Sequence, residues 1–166
     1  FRQFSKLALS CGKLMHAKNG PDCSMLELSG WDTHQQQASR LQRKFTQLDQ
    51  GIASLKEGLA DDWKNTVVII ATEFGRTVAQ NGTGGTDHGT ASTLFLTGGA
   101  VEGGKVEGVW PGLSKDKLYE GRDLAATSDT RQWIAAVLKQ HWHLSNSDIA
   151  NIFPDVRVMN KRIIKT

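Results

Sequence analysis

At 166 residues, with 39% apolar and 22% charged side chains, the chain can bury a core and suits one domain over 1–166, not a disordered polymer. A net charge of +3 and a pI of about 9.0 are mildly basic, yet Arg40, Arg43 and Lys44 on one helix face and Arg157, Lys161, Arg162 and Lys165 near the C-terminus form no aromatic-interleaved stripe of the kind that binds nucleic acid. No apolar run approaches the roughly 18 residues of a membrane span.

Residues 1–17 place Phe1, Phe4, Leu7, Ala8, Cys11, Leu14 and Met15 at steps of three and four, one face of a helix stopped by Asn19-Gly20-Pro21. The chain opens inside this pattern without an initiator Met or a signal peptide, which suggests a processed or truncated chain. Cys11 and Cys23 have no metal-finger spacing and could pair or remain free. Ser24–Leu28 is short and mostly apolar, a predicted strand. Ala38, Leu41, Phe45, Leu48, Ile52, Leu55 and Leu59 then give the strongest helical stripe, weakened slightly by Gly51 and Gly58. Asp61–Asn65 is a polar turn. Thr66–Ala71 is apolar on consecutive residues, as in a strand buried on both faces of a parallel sheet. Strand, long helix and strand together predict a right-handed βαβ crossover.

Residues 78–93 are rich in Gly, Thr and Asn and form a long predicted loop. Leu94–Gly99 is a third predicted strand, and 100–121 carries glycines enough for irregular excursions. Thr127-Ser128-Asp129 supplies caps for a helix reaching about Trp142, with Trp133, Ile134, Val137 and Leu138 inward. A basic charge on His141 or His143 would be favoured near that helix's C-terminus. Ser145–Asp148 opens a short helical turn ending at Phe153-Pro154, and Val156 and Val158 alternate briefly beyond it. The expected fold is therefore α/β, a mostly parallel sheet flanked by helices.

Three polar clusters stand out: Gly30-Trp31-Asp32-Thr33-His34, Thr72-Glu73-Phe74-Gly75-Arg76-Thr77 and Gly85-Thr86-Asp87-His88-Gly89. Ligands of open α/β sheets bind at the carboxyl ends of strands, where the first two clusters are expected. Asp32, His34 and His88 with Asp87 or Glu73 would make a mixed nitrogen and oxygen set suited to Zn²⁺, Mn²⁺ or Fe, and Arg76 could hold an anionic ester. Plainer roles exist for each: Asp32 or Thr33 as a helix cap, Glu73 and Arg76 as a local ion pair, His88 as a turn residue. Gly82-Thr83-Gly84-Gly85 lacks the Gly-Lys-Ser/Thr ending of a phosphate loop. Ser29, Thr33, Thr90 and Ser92 are nucleophile candidates outside any Gly-x-Ser-x-Gly elbow.

At these three clusters, and at Arg122-Asp123-Leu124, Thr127–Arg131 and Phe153-Pro154, the chain resembles the domain of unknown function 1501 family, which is labelled sulfatase-like. The resemblance implies the C-terminal part of a domain akin to the alkaline phosphatase and sulfatase superfamily, exported to the periplasm. It implies Asp32 and His34 as ligands of one divalent metal and His88 as the later histidine completing it. It also implies hydrolysis of a small phosphate or sulfate ester. Glu73 and Phe74 stand where the superfamily has the Asp and His of a second metal centre. The alternative it leaves is a non-catalytic exported module keeping the fold and one metal.

Overall fold

The structure, a computed structural model, describes residues 2–165; Phe1 of the first helical stripe lies outside them. The chain forms two compact units, Phe1–Trp63 with Ala79–Asp87, and Lys64–Val78 with His88–Thr166.

The first unit is a helix pair, α1 (Arg2–His16) and α2 (Gln37–Leu59), joined through residues 17–36. Gly20 N–H bonds to the Ala17 carbonyl where the sequence predicts the stop of α1. Phe4 packs under Gly51, and Gly12 meets Gly58 further along both helices, so α1 and α2 run in the same direction. A Cβ at Gly58 would lie 2.5 Å from the Leu9 carbonyl oxygen, and one at Gly12 2.6 Å from that of Leu55. Of the two glycines that weaken the helix stripe, Gly58 lets its backbone approach α1 and Gly51 makes room for the Phe4 ring. Ala8 and Leu59 are buried at this contact, whereas Leu7, Leu14 and Phe45 are half exposed or more. Beyond α2, a 3₁₀ turn over Ala60–Asn65 brings Asp62 to His16, Nδ1 to Oδ2 2.7 Å.

Two helices running in parallel need a connection that travels back along their length, and 17–36 makes that return, with no ladder until Gln35 bridges Gly84. Ser24–Leu28 is therefore not a strand: it has no ladder partner, and Met25 is 94% exposed. Cys11 and Cys23 are both free; Cys11 Sγ sits 3.0 Å from Ser24 Oγ.

In the second unit β1 (Val68–Ile70) pairs antiparallel with β4 (Phe95–Thr97), Ile69 opposite Leu96. β2 (Gly75–Arg76) pairs antiparallel with β3 (His88–Gly89). These ladders replace the expected mostly parallel sheet and its βαβ crossover, because the predicted first strand never forms and the other two face each other as a hairpin-like pair. The apolar run at 66–71 is half buried from Thr66 to Ile70, not fully covered on both faces. Val67, Ile69 and Leu96 pack on a core of Ala100, Ala136, Val137, Ile163 and Ile164, while Phe95 on the same ladder is 52% exposed.

That core is closed by α3 (Thr130–His141) and the C-terminal segment; α4 (Asn146–Ile152) follows α3 and buries Ile149. Asp129 caps α3 through the Arg131 N–H, and Ser145 with Asp148 forms a capping box on α4, as the cap residues predict. Gln140 reaches from α3 to the last segment: its amide accepts from Ile163 and Ile164 N–H and donates to the Lys161 carbonyl. Burial, followed by the His143 charge, lowers the pKa of His141, so the fold disfavours the cation that the helix dipole alone would favour there. No helix among the described residues is long and apolar enough to cross a membrane.

Candidate metal centre

In the first unit the loop 30–36 lies against 79–87 and the two are laced backbone to backbone. Gln36 N–H bonds to the Thr83 carbonyl, Gln37 N–H to that of Gly84, and Thr86 N–H to that of Thr33. A Cβ on Gly85 would collide with the His34 carbonyl, so this crossing accepts only glycine. Thr33, 1% exposed, turns its hydroxyl to Gln37 Oε1, which Thr86 Oγ1 also reaches at 2.6 Å. Neither Asp32 nor Thr33 caps α2; Gln36 takes that position in the left-handed region, with no side-chain cap.

The lacing leaves Asp32, His34 and Asp87 together at the surface. His34 Nε2 is 2.9 Å from Asp32 Oδ1, and His34 Nδ1 is 3.0 Å from Asp87 Oδ1. All three side chains are about half exposed. Asn81 braces the group: its Nδ2 donates to the His34 carbonyl at 2.9 Å and to Asp87 Oδ1 at 3.3 Å. Its Oδ1 accepts from Thr83 N–H, Gly85 N–H and the Thr83 hydroxyl. Thr83 Oγ1 also lies 2.7 Å from the His34 carbonyl, so its one proton is shared between that carbonyl and Asn81 Oδ1. The Gly-rich loop is thus organised around Asn81, which takes two of the N–H groups that a phosphate cradle would need.

A neutral imidazole has one N–H and one lone pair. If Asp87 takes the Nδ1 proton, the Nε2 lone pair faces a carboxylate oxygen 2.9 Å away. Two acceptors at that distance need a proton or a cation between them. A carboxylate on one ring nitrogen and a ligand position on the other is how metal-binding histidines are oriented. The donor set therefore fits a divalent cation with Asp32 Oδ1 and His34 Nε2 as ligands and Asp87 behind His34. Sequence reasoning missed Asn81, Thr83 and Gln37. An Asn followed by Gly-Thr-Gly-Gly signals a side-chain-closed turn and is the one hint available for Asn81.

Glu73, Arg76 and His88 belong to the second unit. Glu73 is exposed. Arg76 and His88 face each other in the β2–β3 register. His88 stacks on Phe74 with ring centroids 4.5 Å apart and planes inclined by 15°, and the Arg76 guanidinium carbon is 5.3 Å from the same ring's centroid. Of the nucleophile candidates, Thr90 donates to Asp123 Oδ2 at 3.0 Å, and Thr33 is buried. Asp123 itself is 2% exposed; Arg122 Nη2 donates to its Oδ2, whereas Oδ1 receives no hydrogen bond although Arg122 Nε lies 3.0 Å away.

No curated protein and no solved structure was found to match the chain. The model of one family, described as protein of unknown function (DUF1501), matches residues 9–153, a span that takes in all three polar clusters and both C-terminal helices up to Phe153. The chain therefore belongs to the DUF1501 family.

Proposed function

We propose that Asp32 and His34 hold a divalent cation of the Zn²⁺ or Mn²⁺ kind in an exported hydrolase of phosphate or sulfate esters. The observation that carries this reading is His34 set between two carboxylates, one on each ring nitrogen. Asp87 fixes the imidazole so that Nε2 points away from it, and Asn81 fixes Asp87. A bound cation of this kind polarises a phosphoryl or sulfuryl oxygen and makes hydroxide available near neutral pH. Arg76 supports the ester class, since a guanidinium can take a tetrahedral oxyanion with two parallel N–H bonds. The sulfatase and alkaline phosphatase likeness of the sequence motifs supports the same class. His88, the further ligand implied by that likeness, is decided separately by His88→Ala.

The test is a panel of phosphate and sulfate monoesters offered to the full chain with added Zn²⁺ or Mn²⁺, beside His34→Ala. Turnover abolished by the substitution supports the reading; turnover that survives it removes His34 from the site. Phe74, standing in place of a second-centre histidine, favours a second reading, a non-catalytic module that keeps one metal. Stoichiometric metal with no turnover of any ester would favour that module.

A further inference from the structure

Phe74 is the residue at which the motif departs most from a metal centre, and its ring is nonetheless engaged. Within the second unit it touches both candidate groups of the β2–β3 hairpin: the His88 imidazole stacked at 4.5 Å and the Arg76 guanidinium at 5.3 Å. Arg76 and His88 are cross-strand partners, so their side chains leave the ladder on one side. Two glycines permit the arrangement. A Cβ on Gly75 would run into the Ala91 carbonyl, and one on Gly89 would come within 2.6 Å of the Arg76 carbonyl. The close backbone pairing that begins just after Phe74 thus gathers a cation and an imidazole on one aromatic ring.

We infer that Phe74 is a positioning residue, a platform that orders the Arg76 guanidinium beside His88 for recognition of the tetrahedral oxyanion of an ester. The inference rests on the reading of Arg76 as the anion-holding group. A guanidinium against an aromatic ring loses little of its hydration and keeps its N–H groups in one plane. A long side chain ordered before binding gives up less entropy when the anion arrives. Leucine or methionine at position 74 would keep the apolar volume and lose the ring face; tyrosine would keep both.

The test is sulfate titration of the full chain, followed through the Arg76 Nε–Hε resonance by NMR, for wild type, Phe74→Leu, Phe74→Met and Phe74→Tyr. Methionine serves as the second ring-free variant should leucine fail to fold. In the wild type the resonance is displaced by the ring current of Phe74 and moves on adding sulfate. The ring-free variants lose the displacement and bind sulfate about three- to fivefold more weakly, the scale of one exposed cation–π contact; tyrosine restores both. Undiminished sulfate affinity in a folded ring-free variant overturns the platform while leaving Arg76 as the anion group. An Arg76 resonance that sulfate never moves in the wild type overturns the reading of Arg76 and the platform with it, whatever the ring current shows.

Discussion

Around His34 the chain is held by polar side chains bonding to backbone, with Asn81 and Thr83 serving the 30–36 loop and its own turn at once. Beneath α3 the means are apolar: Ala136, Val137, Ile163 and Ile164 are nearly inaccessible, and Gln140 is the main polar tie. The first region leaves its ionisable groups half exposed and interchangeable with solvent. The second cannot lose a methyl group without a cavity. A substitution at the clasp should therefore change what the protein binds, and one in the core whether it folds.

Core truncation should give the largest effect. Ile164→Ala should cost about 2–4 kcal/mol in urea unfolding, because the side chain is 8% exposed and its site is lined by buried neighbours. A loss below about 0.5 kcal/mol would contradict the core assignment. Next comes Gly58→Ala, where the new methyl meets the Leu9 carbonyl and should cost about 1–3 kcal/mol by forcing the helices apart. The same exchange at Gly82, which has open space around it, should be near neutral.

Asn81→Ala should sharpen the contrast from the other side. It removes the acceptor for two loop N–H groups and the brace on Asp87, so metal retention should fall clearly while the unfolding midpoint moves little. A large midpoint shift with unchanged metal would mean that the clasp is structural.

Acid titration should give the smallest effects. The Arg131 side chain lowers the Asp129 carboxyl below its usual 3.8, and Ser145 does the same for Asp148. A lowered carboxyl adds stability above its unfolded pKa, and that stability disappears as pH falls through the folded value. Asp129→Ala removes the N-cap of α3 and should cost about 1 kcal/mol at neutral pH, and the cost should shrink in acid. His141, lowered from 6.5 by burial, follows the same sign: its neutral form suits the fold, so stability declines as pH drops below 6.5, and His141→Gln should flatten that decline.

The helices were legible because their signal is local. Steps of three and four mark α2, and Asp129, Ser145 and Gly20 mark ends through bonds to near neighbours. The sheet was not, since a strand exists only by virtue of a partner that the sequence does not name. Thr66–Ala71 reads as doubly buried yet is at most half buried in an antiparallel ladder, and Ser24–Leu28 has no ladder partner. At the site, Asp32, His34 and Asp87 stand out in the sequence as ionisable loop residues, and the structure brings them together. Their brace does not stand out, because the bond between Asn81 and the His34 carbonyl joins residues far apart in the chain. Gly85 is the same case: the sequence marks a turn, and the structure shows a crossing too tight for a side chain.

The most direct measurement is metal content by mass spectrometry on tag-free protein dialysed against Zn²⁺ or Mn²⁺. Wild type stands beside His34→Ala, Asp32→Ala and Asp87→Asn. The account predicts near-stoichiometric metal in the wild type, none in the first two variants, and affinity reduced about 10- to 100-fold in the third, as befits a residue acting through His34. Metal retained in full by His34→Ala, or absent from the wild type at saturating cation, would contradict it.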